Sequence, residues 1–165
     1  MVLTAEAISE RAGTVAGDFG QSLVAGFAGT AVLTAAQIAE MKLSKREGST
    51  IPVETAGKVL GFSPRKEEDK SRLNLMVHYT YGSLWGLARG LLKSFGLKSW
   101  QADLLHFAAV WGTELVMLPS LKITPPPQKW SFKSLITDAA FHAVYAAAVG
   151  FIFDKLYDSS CSHKL

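Results

Sequence analysis

The feature that most constrains the fold is a set of four apolar blocks along a chain of 165 residues. The blocks cover residues 20–43, 73–96, 101–121 and 135–156, and each is close to the ~20 residues that an α-helix needs to cross a bilayer. A helix of a soluble bundle carries a polar face that recurs every 3.6 residues. In Leu23–Ile38 only Thr, Gln and small residues are available to form such a face. The blocks therefore predict an all-α, four-span transmembrane helical bundle rather than a soluble four-helix bundle.

The second and fourth blocks share a short pattern, which indicates an internal duplication. The matched positions are His78, Tyr81, Gly82, Ser83 and Gly86 in one copy, and His142, Tyr145, Ala146, Ala147 and Gly150 in the other. Each copy places a histidine early in an apolar segment, with a tyrosine and small residues on one helical face. The bundle is therefore predicted to consist of two repeated hairpins, and the small residues Gly82, Gly86, Ala146 and Gly150 to form close helix contacts.

This repeat divides the chain into four segments. We predict an amphipathic or flexible N-terminal segment at 1–17, a first hairpin with a polar loop at 18–96, a second hairpin at 97–158 and a flexible tail at 159–165. In the loop, the stretch from Pro52 to Gly61 predicts a short helix, and the charged run at 65–72 predicts a solvated loop. Lysine and arginine are more numerous on the two longer connections, so the positive-inside rule places these in the cytoplasm and both termini outside.

Several function classes find no support in the sequence. A formal charge of +3 without a basic, aromatic-interleaved stripe argues against nucleic-acid binding. Cys161 stands alone, so no disulfide framework or cysteine-based metal site is expected. No nucleophile elbow and no phosphate-binding glycine loop is recognisable, and we therefore predict that the protein is not an enzyme.

The order of motifs between residues 52 and 156 resembles the YagU-like family of bacterial inner-membrane proteins. The motifs are His-x-x-Tyr-Gly-x-x-x-Gly from His78, Val-Trp-Gly-Thr-Glu from Val110 with Pro119 five residues on, a proline run ending at Pro127, and His-x-x-Tyr from His142. The resemblance implies a small multi-pass protein of the bacterial inner membrane with a suggested link to acid resistance, and it brings no catalytic residues. The chain departs from the pattern at Ala146, where the family has glycine after the tyrosine.

Each predicted hairpin carries a carboxylate late in its first helix and a histidine early in its second. The pairs are Glu40 with His78 and Glu114 with His142. In an antiparallel hairpin these positions lie on the same side of the membrane at similar depth. A charged group inside a span costs from ~2.5–3.5 kcal/mol upward, so such groups are usually paired, neutral or functional.

Three interpretations of these pairs stay open. The first is a Glu–His hydrogen bond that holds each hairpin together, with Tyr81 and Tyr145 as further partners. The second is a group that senses or conducts protons, because an imidazole changes charge near mildly acidic pH. The third is a metal or haem site in which His78 and His142 are ligands.

The remaining ionisable residues of the spans have simpler expectations. His106 is expected at the membrane interface near Trp100, and Arg89 is expected to extend to water from the end of its helix. Asp103 is expected to cap a helix or to pair close by.

The leading hypothesis is thus a non-enzymatic membrane protein whose buried Glu/His pairs sense or conduct protons. The alternatives are an accessory or scaffolding subunit of a larger membrane complex and a haem- or metal-binding bundle. The partners expected are membrane lipid and either further copies of the chain or a larger complex, without nucleic acid.

Overall fold

A computed structural model describes residues 5–64 and 66–162, and this part of the chain is all-helical without strands. It contains five α-helices and one 3-10 helix: α1 (Ala5–Ser44), α2 (Ile51–Leu60), α3 (Glu67–Ser94), α4 (Ser99–Ser120), η1 (Pro127–Lys129) and α5 (Phe132–Ser162). The all-α class predicted from the sequence is confirmed.

The first helix is longer than the sequence predicts. A separate segment at 1–17 was expected before the first span, but α1 is continuous from Ala5 to Ser44 and about 60 Å long at 1.5 Å per residue. Its alanine-rich sequence contains no proline that would interrupt the backbone hydrogen bonds. Residues 1–4 of the predicted segment lie outside the described residues.

The short helix α2 follows the prediction for the first connection. Pro52 lies in its first turn, and Gly61 ends it with a φ of 73°, a left-handed conformation that glycine adopts without strain. The Asn74 side chain of α3 accepts a hydrogen bond from the backbone N–H of Val53 (3.1 Å) and donates one to the carbonyl of Ser49 (2.9 Å). The start of α2 is therefore fixed to the side of α3.

Two predicted boundaries are wrong by several residues. The run at 65–72 was expected to be a loop, but α3 already begins at Glu67, and the acidic residues Glu67, Glu68 and Asp69 fill its first turn. Negative charge is favourable there because the N-terminal end of a helix carries positive partial charge. At the other end of the chain, α5 continues to Ser162, into the predicted tail at 159–165, whose residues 163–165 lie outside the description.

The four long helices pack as one bundle. α1 contacts α3 and α5, and α4 contacts α5 and α3, so α1 and α4 lie diagonally opposite each other. Lys122 and Ile123, after α4, line the same cleft as Val53 and Gly57 of α2. The first and third connections therefore lie at the same end of the bundle.

Small residues bring α1 and α3 into direct backbone contact. A side chain added at Gly82 would collide with the Thr30 hydroxyl, one at Gly86 with the carbonyl of Ser22, and one at Gly90 with the Ser22 hydroxyl. The three glycines of α3 are spaced four residues apart, and so are Ser22, Gly26 and Thr30 of α1, which aligns each set along one face of its helix. The close contacts expected of Gly82 and Gly86 are present.

In the second hairpin, Gly150 faces the carboxylate of Asp103, and Ala146 is buried.

Two helices are long and apolar enough to cross a membrane, where the sequence predicted four. They are Val15–Ser44 and Phe132–Ser159. The other two long helices fall short because of their polar residues: α3 begins with charged turns and contains His78 and Arg89, and α4 contains Asp103, His106 and Glu114.

Candidate functional site

The ionisable side chains between α3, α4 and α5, together with the aromatic ring of Trp85, lie in three layers. The Arg layer comprises Arg89, Lys93, Asp103 and Asp154; the middle layer comprises Trp85, His106 and Tyr145; the His layer comprises His78, Glu114, Asp138 and His142. Along α4, the step from Asp103 to Glu114 corresponds to about 16 Å of helix rise. The three layers thus occupy successive depths of one bundle.

The Arg layer is a charge-balanced ion-pair network, in which one guanidinium nitrogen, Nη1 of Arg89, has no hydrogen-bond partner among the described residues. The Nε of Arg89 donates to Asp103 Oδ1 at 2.8 Å, and its Nη2 donates to both carboxylate oxygens of Asp154 at 3.1 Å. Lys93 Nζ lies 3.9 Å from Asp154, and the guanidinium sits over the Phe153 ring at 5.3 Å. Two cations and two carboxylates make this layer neutral in itself.

Arg89 corrects one expectation and Asp103 fulfils another. The arginine was expected to extend to water, but its side chain is fully buried at 0% exposure because its partners come from two other helices. Asp103 pairs close by, as expected, and it reaches Arg89 past Gly150, which has no side chain in the way.

The middle layer contains a histidine that the sequence placed at the membrane interface. That expectation is wrong, since His106 is 0% exposed. Its Nε2 donates to the backbone carbonyl of Trp85 at 3.1 Å, because a carbonyl can only accept. Beside it, the Tyr145 hydroxyl donates to the carbonyl of Gly82 at 2.6 Å. Tyr81, which the predicted duplication matches to Tyr145, is instead 41% exposed and stacks edge-on against Trp85.

The His layer joins α4 to α5 through an imidazole and two carboxylates. His142 Nε2 lies 2.6 Å from Glu114 Oε2, and His142 Nδ1 lies 2.9 Å from the backbone carbonyl of Asp138. The Asp138 carboxylate is 3.9 Å from Nδ1 and accepts a hydrogen bond from Trp111 Nε1 at 2.9 Å. The Glu114–His142 pair expected from the sequence is thus formed.

The hydrogen bonds of His142 require a proton or a metal ion between its Nε2 atom and the Glu114 carboxylate. Because the carbonyl of Asp138 can only accept, Nδ1 must carry the donated proton. In neutral imidazole Nε2 then carries a lone pair, which would face the lone pairs of the Glu114 carboxylate at 2.6 Å. Two acceptors do not approach this closely unless a proton or a metal ion lies between them.

The second expected pair, Glu40 with His78, is not formed. Glu40 lies near the end of α1, where Arg46 Nη2 binds its carboxylate at 2.9 Å in an exposed position. A local arginine therefore takes the place of the distant histidine. His78 Nε2 is buried and has no hydrogen-bond partner among the described residues.

His78 lies beside the other pair instead. α3 and α5 run in the same direction, and the contacts of Gly82 with Tyr145 and of Arg89 with Asp154 join positions 63 and 65 apart. This register places His78 level with His142.

Two members of this site were not singled out from the sequence. Asp138 precedes His142 by four residues on the same helix, a spacing that puts both on one face, so this signal was available. Trp111 gave no such signal, because its partner Asp138 lies 27 positions away on another helix.

Three residues of the His layer have the donor atoms to bind a metal ion. Glu114, Asp138 and His142 each offer one ligand atom, and these atoms lie within 4.8 Å of one another. No other group of three or more histidine, cysteine, aspartate or glutamate side chains meets this description in the part of the chain that the structure describes.

Comparison with protein families, with curated proteins and with solved structures finds no match to this chain. The resemblance to the YagU-like family therefore stays a prediction.

Proposed function

We propose that this chain is a four-span integral membrane protein, built from two related hairpins, that binds a cation between its helices. The observation that carries the proposal is the reversed polarity of the bundle. Arg89 and His106 are completely buried, whereas Leu84, Leu91 and Val116 are 54%, 60% and 69% exposed. Soluble proteins seldom bury charged residues and expose large contiguous apolar surfaces, whereas a helix in lipid places its ionisable groups toward the bundle interior.

The packing supports four spans although only two helices are apolar throughout. Gly82–Gly90 of α3 lies against Ser22–Thr30, within the first apolar helix, and Asp103 of α4 lies against Gly150, within the last. Helices that pack side by side share the same depth. If α1 and α5 cross the bilayer, α3 and α4 must cross it with them.

The register of the helices supports the duplication. The matched histidines His78 and His142 stand 64 positions apart in the sequence, between the offsets of 63 and 65 that join α3 to α5 in space. Matched residues therefore lie at equal depth on parallel helices, as expected for two hairpins related by a two-fold axis along the membrane normal.

The charge of the His layer supports cation binding. Among the described residues, Glu114 and Asp138 have no lysine or arginine partner within ion-pair distance. His142 alone cannot neutralise two carboxylates. At membrane depth a net negative charge is costly, so an additional cation stabilises this layer. If bound protons supply this additional positive charge, the layer has the proton-sensing role predicted from the sequence.

Cysteine labelling distinguishes four spans from two. In a Cys161→Ser background, single cysteines at Lys58 and Gly96 are treated with a membrane-impermeant thiol reagent in intact and in permeabilised spheroplasts. Four spans place these positions on opposite faces, so only one reacts before permeabilisation. Two spans place residues 45–131 on one face, so both positions react alike.

A cysteine at Lys122 is the control for this experiment, because it shares a cleft with α2 and must be labelled together with position 58. The predicted orientation puts both in the cytoplasm of a bacterial cell, with the termini outside. Identical labelling at positions 58 and 96 would contradict the four-span proposal.

A further inference from the structure

We propose that the cation is a first-row divalent transition-metal ion, such as Zn²⁺, bound by Glu114, Asp138 and His142 with His78 as the fourth ligand. This inference rests on the proposed function, since it names the cation of the same layer.

The spacing of the donor atoms suits one metal ion. Bonds from Zn²⁺ to imidazole nitrogen and carboxylate oxygen measure about 2.0–2.2 Å, so two ligand atoms of a tetrahedral site lie roughly 3.3–3.6 Å apart. The donors of Glu114, Asp138 and His142 lie within 4.8 Å of one another. Rotation of the side chains has to close the widest of these separations to the tetrahedral value, by up to about 1 Å. The 2.6 Å contact between Glu114 and His142 has to open.

The hydrogen bonds around the cluster orient its ligands. His142 donates from Nδ1 to the carbonyl of Asp138, which leaves Nε2 free to bind a metal and holds the ring in place. Trp111 donates to one oxygen of Asp138 and fixes that carboxylate. Metal-bound histidines usually donate their other ring N–H to a carbonyl or carboxylate, and ligating carboxylates are themselves hydrogen-bonded.

His78 is the independent observation that points to a ligand. Its Nε2 atom is buried without a hydrogen-bond partner, which is unfavourable for a polar atom inside a protein. It comes from α3, level with His142 of α5. His78 is not one of the three residues whose donors lie within 4.8 Å of one another, so its side chain has to move toward them to bind the ion. A metal ion would give this nitrogen a partner and complete four-coordination.

Charge and ligand chemistry decide the class of ion. Two carboxylates and one divalent cation are neutral together, which suits a site at membrane depth. Imidazole nitrogen binds Zn²⁺, Fe²⁺, Ni²⁺ and Cu²⁺ well, whereas Mg²⁺ and Ca²⁺ prefer oxygen ligands. Two histidines and two carboxylates therefore favour a transition metal over Mg²⁺.

The test is a calorimetric titration of Zn²⁺ into EDTA-stripped full-length protein in mild detergent. We expect one Zn²⁺ per chain for the wild type and no detectable heat of binding with Mg²⁺. Glu114→Gln and His142→Ala should abolish Zn²⁺ binding. Glu40→Gln is the matched control: it removes a carboxylate that pairs with Arg46 outside the cluster, and binding should stay unchanged.

Two milder variants keep the test decisive if His142→Ala fails to fold. Trp111→Phe removes only the hydrogen bond to Asp138 and should weaken binding about 10–100-fold, as loss of a ligand's hydrogen-bond partner typically does. His78→Gln should weaken binding while leaving the other three ligands in place. Gel filtration and circular dichroism verify that each variant is folded.

The outcomes separate this inference from the proposed function. Absence of Zn²⁺ binding, or binding that Glu114→Gln leaves unchanged, overturns the metal site. Proton uptake by a metal-free protein that binds no Zn²⁺ also overturns it, while the proposed cation-binding bundle stands. Labelling of positions 58 and 96 from the same face overturns the four-span proposal whatever the calorimetry shows.

Discussion

The Arg layer and the His layer both contain two carboxylates, one from α4 and one from α5, yet they differ in how their charge is balanced. Asp103 and Asp154 face Arg89 and Lys93, so the Arg layer is neutral in itself. Among the described residues, Glu114 and Asp138 have no lysine or arginine within ion-pair distance, and His142 is their one ion-pair partner. Similar residues at similar positions can thus form a charge-balanced ion-pair network in one layer and leave a carboxylate without a cationic partner in another.

The two layers also differ in where the positive charge lies. The Arg89 guanidinium is 0% exposed, and it stays covalently attached between carboxylates that are 32% and 23% exposed. In the His layer the carboxylate–imidazole pair of Glu114 and His142 is 20% and 15% exposed, and no arginine or lysine pairs with it among the described residues. The fixed cation supports a structural role for the Arg layer, the missing one supports a binding role for the His layer, and substitutions can test both.

Removal of the arginine should have the largest effect. Arg89→Met leaves Asp103 and Asp154 without their shared partner, and breaking a buried charge network by removing one member costs about 3–5 kcal/mol. The measurement is the free energy of unfolding in mixed micelles of detergent and SDS. Arg89→Lys should lose less, because one charge remains.

A triple variant controls this prediction. Arg89→Met combined with Asp103→Asn and Asp154→Asn removes all three charges and should recover much of the lost stability. If Arg89→Met alone unfolds like the wild type, the Arg layer is not a structural network and the comparison between the layers fails.

Metal removal should have the next largest effect, and it should act through the His layer. A ligand that binds only the folded state at a concentration 100 times its dissociation constant stabilises that state by about 2.7 kcal/mol. EDTA should therefore lower the free energy of unfolding of the Zn²⁺-loaded wild type by about this amount. In Glu114→Gln, Zn²⁺ and EDTA should give the same value, and an equal response in both proteins would place the ion elsewhere.

Two glycine substitutions should have smaller effects of opposite sign. A side chain at Gly150 would collide with the Asp103 carboxylate and displace it from Arg89, so Gly150→Ala should cost about 1–3 kcal/mol, as overpacking usually does. At Gly112 no atom lies within 4 Å of the added carbon, so Gly112→Ala should gain about 0.5–1 kcal/mol from helix propensity. Equal effects at both positions would contradict the close contact with the Arg layer.

Much of the fold follows from local patterns. The apolar blocks predict the helical class, and the Glu-then-His order predicts the contact of Glu114 with His142, because α4 and α5 are consecutive helices of one bundle. Local patterns also mislead: Glu40 lies near Arg46 in the chain and pairs with it rather than with His78.

The Arg layer shows what the sequence could not provide. Arg89 lies near the end of its helix, which suggests an exposed side chain, but Asp154, 65 positions away, draws it inward. Such long-range partners are set by how the helices pack. The same inward groups lower the hydropathy of α3 and α4, and in the part of the chain that the structure describes α1 and α5 are the two helices long and apolar enough to cross a membrane.

The smallest change in the free energy of unfolding should come from Glu114→Gln in metal-free protein. This substitution also distinguishes the His layer most sharply from the Arg layer. The glutamine amide can donate to the lone pair of His142 Nε2, so the contact survives without a cation between the two side chains. The substitution removes the negative charge of the Glu114 carboxylate and, with it, the need for a positive charge on His142. The favourable attraction between the two charges is lost, but so is the unfavourable cost of removing both charges from water. We expect the free energy of unfolding in EDTA to change by less than about 1 kcal/mol. The corresponding substitution in the Arg layer, Asp154→Asn, removes a carboxylate whose cation cannot leave, and should destabilise the protein. A loss of about 3 kcal/mol or more for Glu114→Gln would mean that Glu114 and His142 form a structural ion pair of the same kind as the Arg layer.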